Sequence, residues 1–257
     1  MNQEQKTAVP DLALTFPHQP DYTPRMWGYE NRRLTHKRAW LAGMALGVTT
    51  IVLLFAIFAL HRWGGNNFHV VRENEWYRCT QLDGDDMEVL AKRYRVKTLL
   101  ALRGANPDDN AWYEPEARAA ENAGAKLVVA KLATSRPPWR SELRTLFQEL
   151  DRVEYPVLVH CKHGSDRTGL VSAIWLHDYR GVPLDEARGQ LALLPYMHFS
   201  FGDAAAVHKL LNEYEAWQRA NPGDNSNIRD WVKQHWFIEK EGRALEPWYD
   251  GVMYKPD

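Results

Sequence analysis

The residues best suited to chemistry stand together in one run, His160-Cys161-Lys162-His163-Gly164-Ser165-Asp166-Arg167-Thr168-Gly169. A cysteine attacks as its thiolate, and a thiolate needs positive or hydrogen-bond-donating surroundings. Arg167, with five residues between it and Cys161, presents a planar fork that can grip two oxygens of a tetrahedral anion. The backbone amides of Lys162, His163, Gly164 and Ser165 can receive the remaining oxygens. Thr168 can lend its hydroxyl to the sulfur when sulfur becomes the leaving group. Gly164 and Gly169 supply freedom to turn and room for close approach. The chemistry such a set allows is covalent transfer of a phosphoryl group to sulfur.

Two elements must position these groups. Residues 155–159, Tyr-Pro-Val-Leu-Val, form a short apolar run that reads as a buried strand. Residues 170–180 carry apolar side chains at helical spacing and stop at Gly181. A strand, a tight loop and a helix N-terminus make a nest of inward amides, which binds an anion. A zinc site from His160, Cys161 and His163 lacks a second ligand pair at suitable spacing, so no metal is expected.

The pattern His-Cys-x5-Arg-Thr-Gly between strand and helix resembles the signature of the cysteine-dependent protein tyrosine and dual-specificity phosphatases. Trp76-Tyr77-Arg78 with Gln81, Leu102-Arg103-Gly104, and Glu114 or Glu116 are similar to segments that surround the loop in small bacterial dual-specificity phosphatases. The resemblance covers about residues 67–200. It implies a two-step phosphoric monoester hydrolase without cofactor or metal. Cys161 is then the nucleophile, Arg167 and the loop amides bind the phosphoryl oxygens with Arg103 nearby, and His160 sits behind the sulfur.

One part of the family pattern is missing. Many relatives carry a catalytic aspartate on a loop some thirty residues before the cysteine, whereas residues 132–138 here read Leu-Ala-Thr-Ser-Arg-Pro-Pro. Asp166 is the foremost replacement, because phosphoinositide phosphatases of the myotubularin and Sac types have a proposed acid at the matching place. The alternative role for Asp166 is to brace the loop. Asp108 and Asp109 are the fallback acids.

The remaining chain sets the context. Net charge is −1, which gives no electrostatic case for nucleic acid. Residues 1–38 read as a cytoplasmic tail, with prolines at 10, 17, 20 and 24 and then five Lys/Arg against one acidic residue in 25–38. Residues 39–60 contain no charge. As a helix they extend about 33 Å, enough to cross a hydrocarbon core of about 30 Å. A single uncleaved span is expected. Arg32, Arg33, Lys37 and Arg38 on its N-terminal side place the later residues outside the cytoplasm, in a bacterial inner membrane.

Beyond the span, strands alternate with helices, so the fold class is α/β with a central, mostly parallel sheet covered on both faces. The expected domain covers 66–200, with a helical extension at 201–257 packed on it. A helix is expected at 183–194. Two cysteines, Cys79 and Cys161, leave two readings for Cys79: a reversible partner of Cys161, or a small buried residue.

Phosphotyrosine or another protein phosphoester is the expected substrate, with lipid or inositol phosphates as the alternative because Lys162 and His163 add basic groups at the rim. A membrane-tethered phosphate-binding pseudoenzyme and a rhodanese-like sulfur carrier are the readings of other classes.

Overall fold

The computed structural model describes the backbone of residues 27–64, 66–104 and 111–242, with side chains described from 35 to 57 and from 66 onward within those ranges. The chain divides into two units, 1–57 and 58–257.

The first unit contributes most of helix α1 (Trp27–Gly64). Its segment Thr35–Ile57 is long and apolar enough to cross a membrane. Trp40, Leu46, Ile51 and Phe55 on this segment are exposed, as a lipid-facing helix requires. Its two threonines return their hydroxyls to the helix, Thr49 to the Ala45 carbonyl and Thr50 to the Leu46 carbonyl, both at 2.8 Å. Neither hydroxyl is therefore left to be solvated.

The second unit is built on a five-stranded sheet in the order β1-β2-β5-β3-β4. Strands β1 (His69–Arg72) and β2 (Trp76–Cys79) form an antiparallel hairpin that turns at Asn74, whose φ of 60° is the left-handed conformation such a turn needs. Helix α2 (Gly84–Arg93) follows and is capped by the Asp83 carboxylate, which accepts from the Asp86 amide. Then come β3 (Thr98–Ala101), α3 (Tyr113–Ala123), β4 (Lys126–Val129), α4 (Arg140–Leu150) and β5 (Val157–His160). All the strand pairs except β1–β2 are parallel.

Alternation along the buried strands feeds two cores. Leu99 and Leu158 pack with Met87, Ala119 and Ala120 of α2 and α3. Leu100, Val157 and Val159 face the other way, toward Leu143 and Phe147 of α4 and Ile174 of helix α5 (Asp166–Arg180). Because α5 is covered on every side, Thr168 through Trp175 are all buried. Trp76 stacks on Trp175 with ring centroids 4.6 Å apart and donates its indole N–H to the Ser172 hydroxyl.

Helices α6 (Leu184–Ala187), α7 (His208–Ala220) and α8 (Ile228–His235) complete the unit. Leu210, Tyr214, Trp231 and Trp236 join the same core as α4 and α5, so the C-terminal helices close that core directly. The helix expected at 183–194 is replaced by one α turn and a 3₁₀ turn, Arg188–Leu191. Arg78 draws the Gln190 carbonyl out to 2.9 Å from its guanidinium, an oxygen that a continuing helix would need for its own ladder.

Candidate active site

The register places Cys79, His160 and Ala101 side by side at the carboxyl ends of β2, β5 and β3. Parallel sheets bind ligands at that end. Here the chain leaves β5, turns through Cys161–Ser165 and enters α5 at Asp166.

The loop keeps its shape because its carbonyls are taken from outside. Thr80 donates its hydroxyl to the Lys162 carbonyl at 2.8 Å, and Asn67 donates its amide to the His163 carbonyl at 3.0 Å. Arg78 reaches the carbonyls of Gly164 at 2.8 Å and Ser165 at 3.3 Å. With four successive carbonyls held outward, the peptide planes turn their N–H groups into the ring. Gly164 has φ of 68°, and a Cβ there would lie 2.5 Å from the Cys79 carbonyl oxygen. The loop therefore lies directly on the end of β2.

Inside the ring, Cys161 is buried. Burial alone would push its thiol up, but the Arg167 guanidinium, the Thr168 hydroxyl and the amides of Thr168 and His163 outweigh it and bring the pKa below the ordinary value. The Thr168 hydroxyl is buried without another partner, so it is free to serve the sulfur. Arg167 is fixed through Nη1 to the carbonyls of Leu102 at 3.1 Å and Leu132 at 3.3 Å, while its buried Nε has no partner. A buried donor left open in this way is one side of an oxyanion clamp. Lys162 and His163 are exposed at the rim, and Ser165 is buried with its hydroxyl 3.4 Å from the His163 carbonyl.

Two further groups lie behind the loop. His160 is wholly buried with Nε2 2.6 Å from Glu116 Oε1, its other nitrogen having no partner. Glu116 in turn accepts from Gln81 at 2.6 Å, and Gln81 accepts from Arg103 at 3.3 Å. Arg103 thus joins a buried polar chain and covers the Trp112 ring at 5.1 Å. On the other side, the Asp166 carboxylate meets His198 at 2.7 Å. Asp108 and Asp109 lie outside the described residues.

Cys79 is a free, buried thiol, and burial pushes its pKa well above the ordinary value. Residues 132–138, where relatives place an aspartate, instead supply the Leu132 carbonyl to Arg167 and pair Arg136 with Glu142 at 2.7 Å.

Residues 62–187 match the model of a family described as the tyrosine phosphatase family. This stretch, just under half of the chain, is similar to that family. Among curated proteins none matches. Of solved structures, TpbA from P. aeruginosa is 21% identical over 62% of this chain and 93% of its own, with a TM-score of 0.46. The same protein in complex with pTyr is 22% identical over 62% of this chain and 92% of its own, with a TM-score of 0.44. The core catalytic domain of the PP-IP phosphatase SIW14 from S. cerevisiae is 22% identical over 61% and 93%, with a TM-score of 0.39. These likenesses are distant, and the phosphatase assignment rests on the family match.

Four residues around this loop, Asn67, Arg78, Thr80 and His198, were not evident from the sequence. Asn67, Arg78 and Thr80 come from the edge hairpin and the residues flanking it, 96, 86 and 82 residues before the carbonyls they hold. For Arg78 the only signal was its place in the Trp76-Tyr77-Arg78 segment. Nothing in the spacing of residues pointed to His198.

Proposed function

We propose that the domain, bounded at about residues 66–200 and completed by the helices of 201–257, hydrolyses phosphoric monoesters through a cysteinyl-phosphate. The Cys161 thiolate attacks phosphorus in line with the ester oxygen, forming the S–P bond as the P–O bond breaks. Arg167 Nε and the loop amides hold the equatorial oxygens as charge develops on them. Asp166 gives its proton to the departing oxygen, a step that contributes about 10²–10⁴-fold in enzymes of this kind of chemistry. The Asp166 carboxylate then takes a proton from water as the water oxygen attacks phosphorus. The S–P bond breaks, phosphate leaves, and the Thr168 hydroxyl steadies the returning thiolate.

The observation that carries this reading is the meeting of a thiol held below its ordinary pKa with a guanidinium whose Nε has no protein partner. Hydrolysis of p-nitrophenyl phosphate by the full chain, lost in Cys161→Ser, tests it. Binding of inorganic phosphate without any turnover would instead make the protein a tethered phosphate-binding module.

Phosphotyrosine or another protein phosphoester is the substrate we favour. A cavity of about 280 Å³ beside His163 is lined by Thr80, Gln81, Asp83 and Asp86. The two carboxylates on that side repel the further phosphates of a polyphosphorylated headgroup. The alternative, a lipid or inositol phosphate, draws on the exposure of Lys162 and His163. A panel of phosphopeptides against phosphoinositides decides between them by kcat/KM.

We place α1 as a single span of a bacterial inner membrane with the phosphatase domain on the outer side, following the basic residues Arg32, Arg33, Lys37 and Arg38. Protease digestion of intact spheroplasts checks the side: the domain should be cut while the membrane is closed. Protection until lysis would reverse the orientation.

A further inference from the structure

We infer that His198 and His208 are positioning residues that hold Asp166 in the one proton arrangement useful to an acid, an inference that rests on the phosphatase reading above. His198 Nδ1 lies 2.7 Å from Asp166 Oδ1, and His198 Nε2 lies 2.7 Å from His208 Nε2. The His198 side chain is fully buried, whereas Asp166 keeps about a fifth of its side-chain surface open. The carboxylate is therefore held at Oδ1 while the side chain as a whole stays partly open.

Two ring nitrogens at hydrogen-bond distance share a single proton. If His208 supplies it from Nε2, the His198 Nε2 must accept, and His198 then carries its own proton on Nδ1. That proton is donated to Asp166 Oδ1. An acidic proton on Asp166 is then confined to Oδ2, the oxygen that does not meet His198. Burial, followed by the neighbouring His198 and Arg188, lowers the His208 pKa and favours a neutral ring. The charged groups around this chain are Asp166 on α5, Arg188 on the 3₁₀ turn and Arg78 on β2, the last feeling the Asp166 carboxylate.

The choice of partner matters. A guanidinium on Asp166 would hold it ionised and remove it as an acid. A neutral imidazole N–H lets the carboxyl carry a proton and still stabilises the negative charge left when that proton departs. The segment bearing His198 is tied to the braces of the catalytic loop. Asn67 donates to both the His163 and Tyr196 carbonyls, and Arg78 lies 4.0 Å from the centre of the Tyr196 ring. A movement of the loop therefore carries His198 with it.

The test uses the full chain in detergent and two esters, phenyl phosphate with a poor leaving group and p-nitrophenyl phosphate with a good one. His198→Phe should lower kcat on phenyl phosphate by about tenfold to a hundredfold, the worth of a charge-assisted hydrogen bond. It should lower kcat less on p-nitrophenyl phosphate, and the alkaline limb should move to higher pH because the donor favouring the carboxylate is gone. His198→Asn, whose amide N–H stands at the Nδ1 position, should restore most of the rate. Equal losses on both esters with an unmoved limb would reduce His198 to packing and overturn the inference. ¹⁵N spectra of the histidines give a reading independent of turnover. A neutral His198 protonated at Nδ1 and a His208 protonated at Nε2 support the arrangement, and a His198 protonated at Nε2 alone refutes it. Should the wild type hydrolyse neither ester, the phosphatase reading fails, and the spectra alone decide the inference.

Discussion

The guanidinium of Arg78 lies against the underside of the catalytic loop, 2.8 Å from the Gly164 carbonyl, and is buried so completely that its pKa falls to about 10. It remains charged at neutral pH, which strengthens each bond it gives to Gly164, Ser165 and Gln190. Arg78→Met would remove this donor from the Gly164 and Gln190 carbonyls, while Ser165 keeps the Gly169 amide, at a cost of about 2 kcal/mol. Thermal unfolding should show a Tm lower on the order of 5 °C, and kcat should fall with it because the ring of amides loses its frame. Unaltered kcat in a folded Arg78→Met would remove the brace from the account.

The positions of two glycines separate backbone strain from crowding. Gly164 and Gly181 have nearly the same φ, 68° and 66°, but a Cβ on Gly181 meets nothing within 4 Å, while one on Gly164 meets the end of β2. Gly181→Ala should cost about 1 kcal/mol of stability and leave turnover alone. Gly164→Ala should cost more and cut kcat by about tenfold or more, because a displacement of an ångström in a catalytic frame is worth about that much or more. Comparable kinetics for the two variants would contradict the contact with Cys79.

Reactivity of the nucleophile with iodoacetamide reports its thiolate fraction. Arg167 is the largest of the effects that lower the Cys161 pKa, working against burial, which raises it. Removing the guanidinium in Arg167→Met therefore moves the rate–pH profile to higher pH. Alkylation of the variant should be slower near pH 6 and converge with the wild type at alkaline pH, with mass mapping to identify Cys161 as the site. Superimposable profiles would mean that the amides and Thr168 suffice.

Stability should carry the mark of Asp178, which ties α5 to α8 by accepting from the amides of Ile228 at 3.0 Å and Arg229 at 2.9 Å. Burial raises its carboxyl from 3.8 to about 6, against the pull of those amides. The native state thus holds this proton more tightly than the unfolded chain does. The corresponding stability is fully present below about pH 4 and is lost as pH rises through about 6. Relative to Asp178→Asn, the wild type should lose on the order of 2–3 kcal/mol across that window, measured by chemical denaturation at pH 4 and pH 7. A constant difference would show that the carboxylate stays ionised on the α8 amides throughout.

The loop was legible because Cys161, Arg167 and Thr168 lie within eight consecutive residues, and the strand before and the helix after carry ordinary hydrophobic patterns. The mostly parallel sheet was legible for a similar reason, since βα alternation is written in periodicity. What escaped was set by distant partners. Residues 183–194 have helical spacing, yet Arg78 claims the Gln190 carbonyl, and a Cβ on Gly169 would stand only 2.6 Å from that same oxygen. Tertiary contacts there override propensity. The carboxylate on Asp166 could be named from the loop, but its neighbour His198 lies 32 residues further on, in a segment without periodicity. Arg103 takes part in a polar chain with Gln81, Glu116 and His160 that no spacing in the sequence announced.

The loop's frame is drawn from three stretches that a ribosome delivers far apart in time. Asn67, Arg78 and Thr80 emerge first, the loop itself next, and His198 and His208 last. A chain still being synthesised holds the braces of the loop before the loop itself, and gains the neighbours of Asp166 only afterwards. The carboxylate of Asp166 therefore lacks its imidazole partner until the chain has passed residue 198.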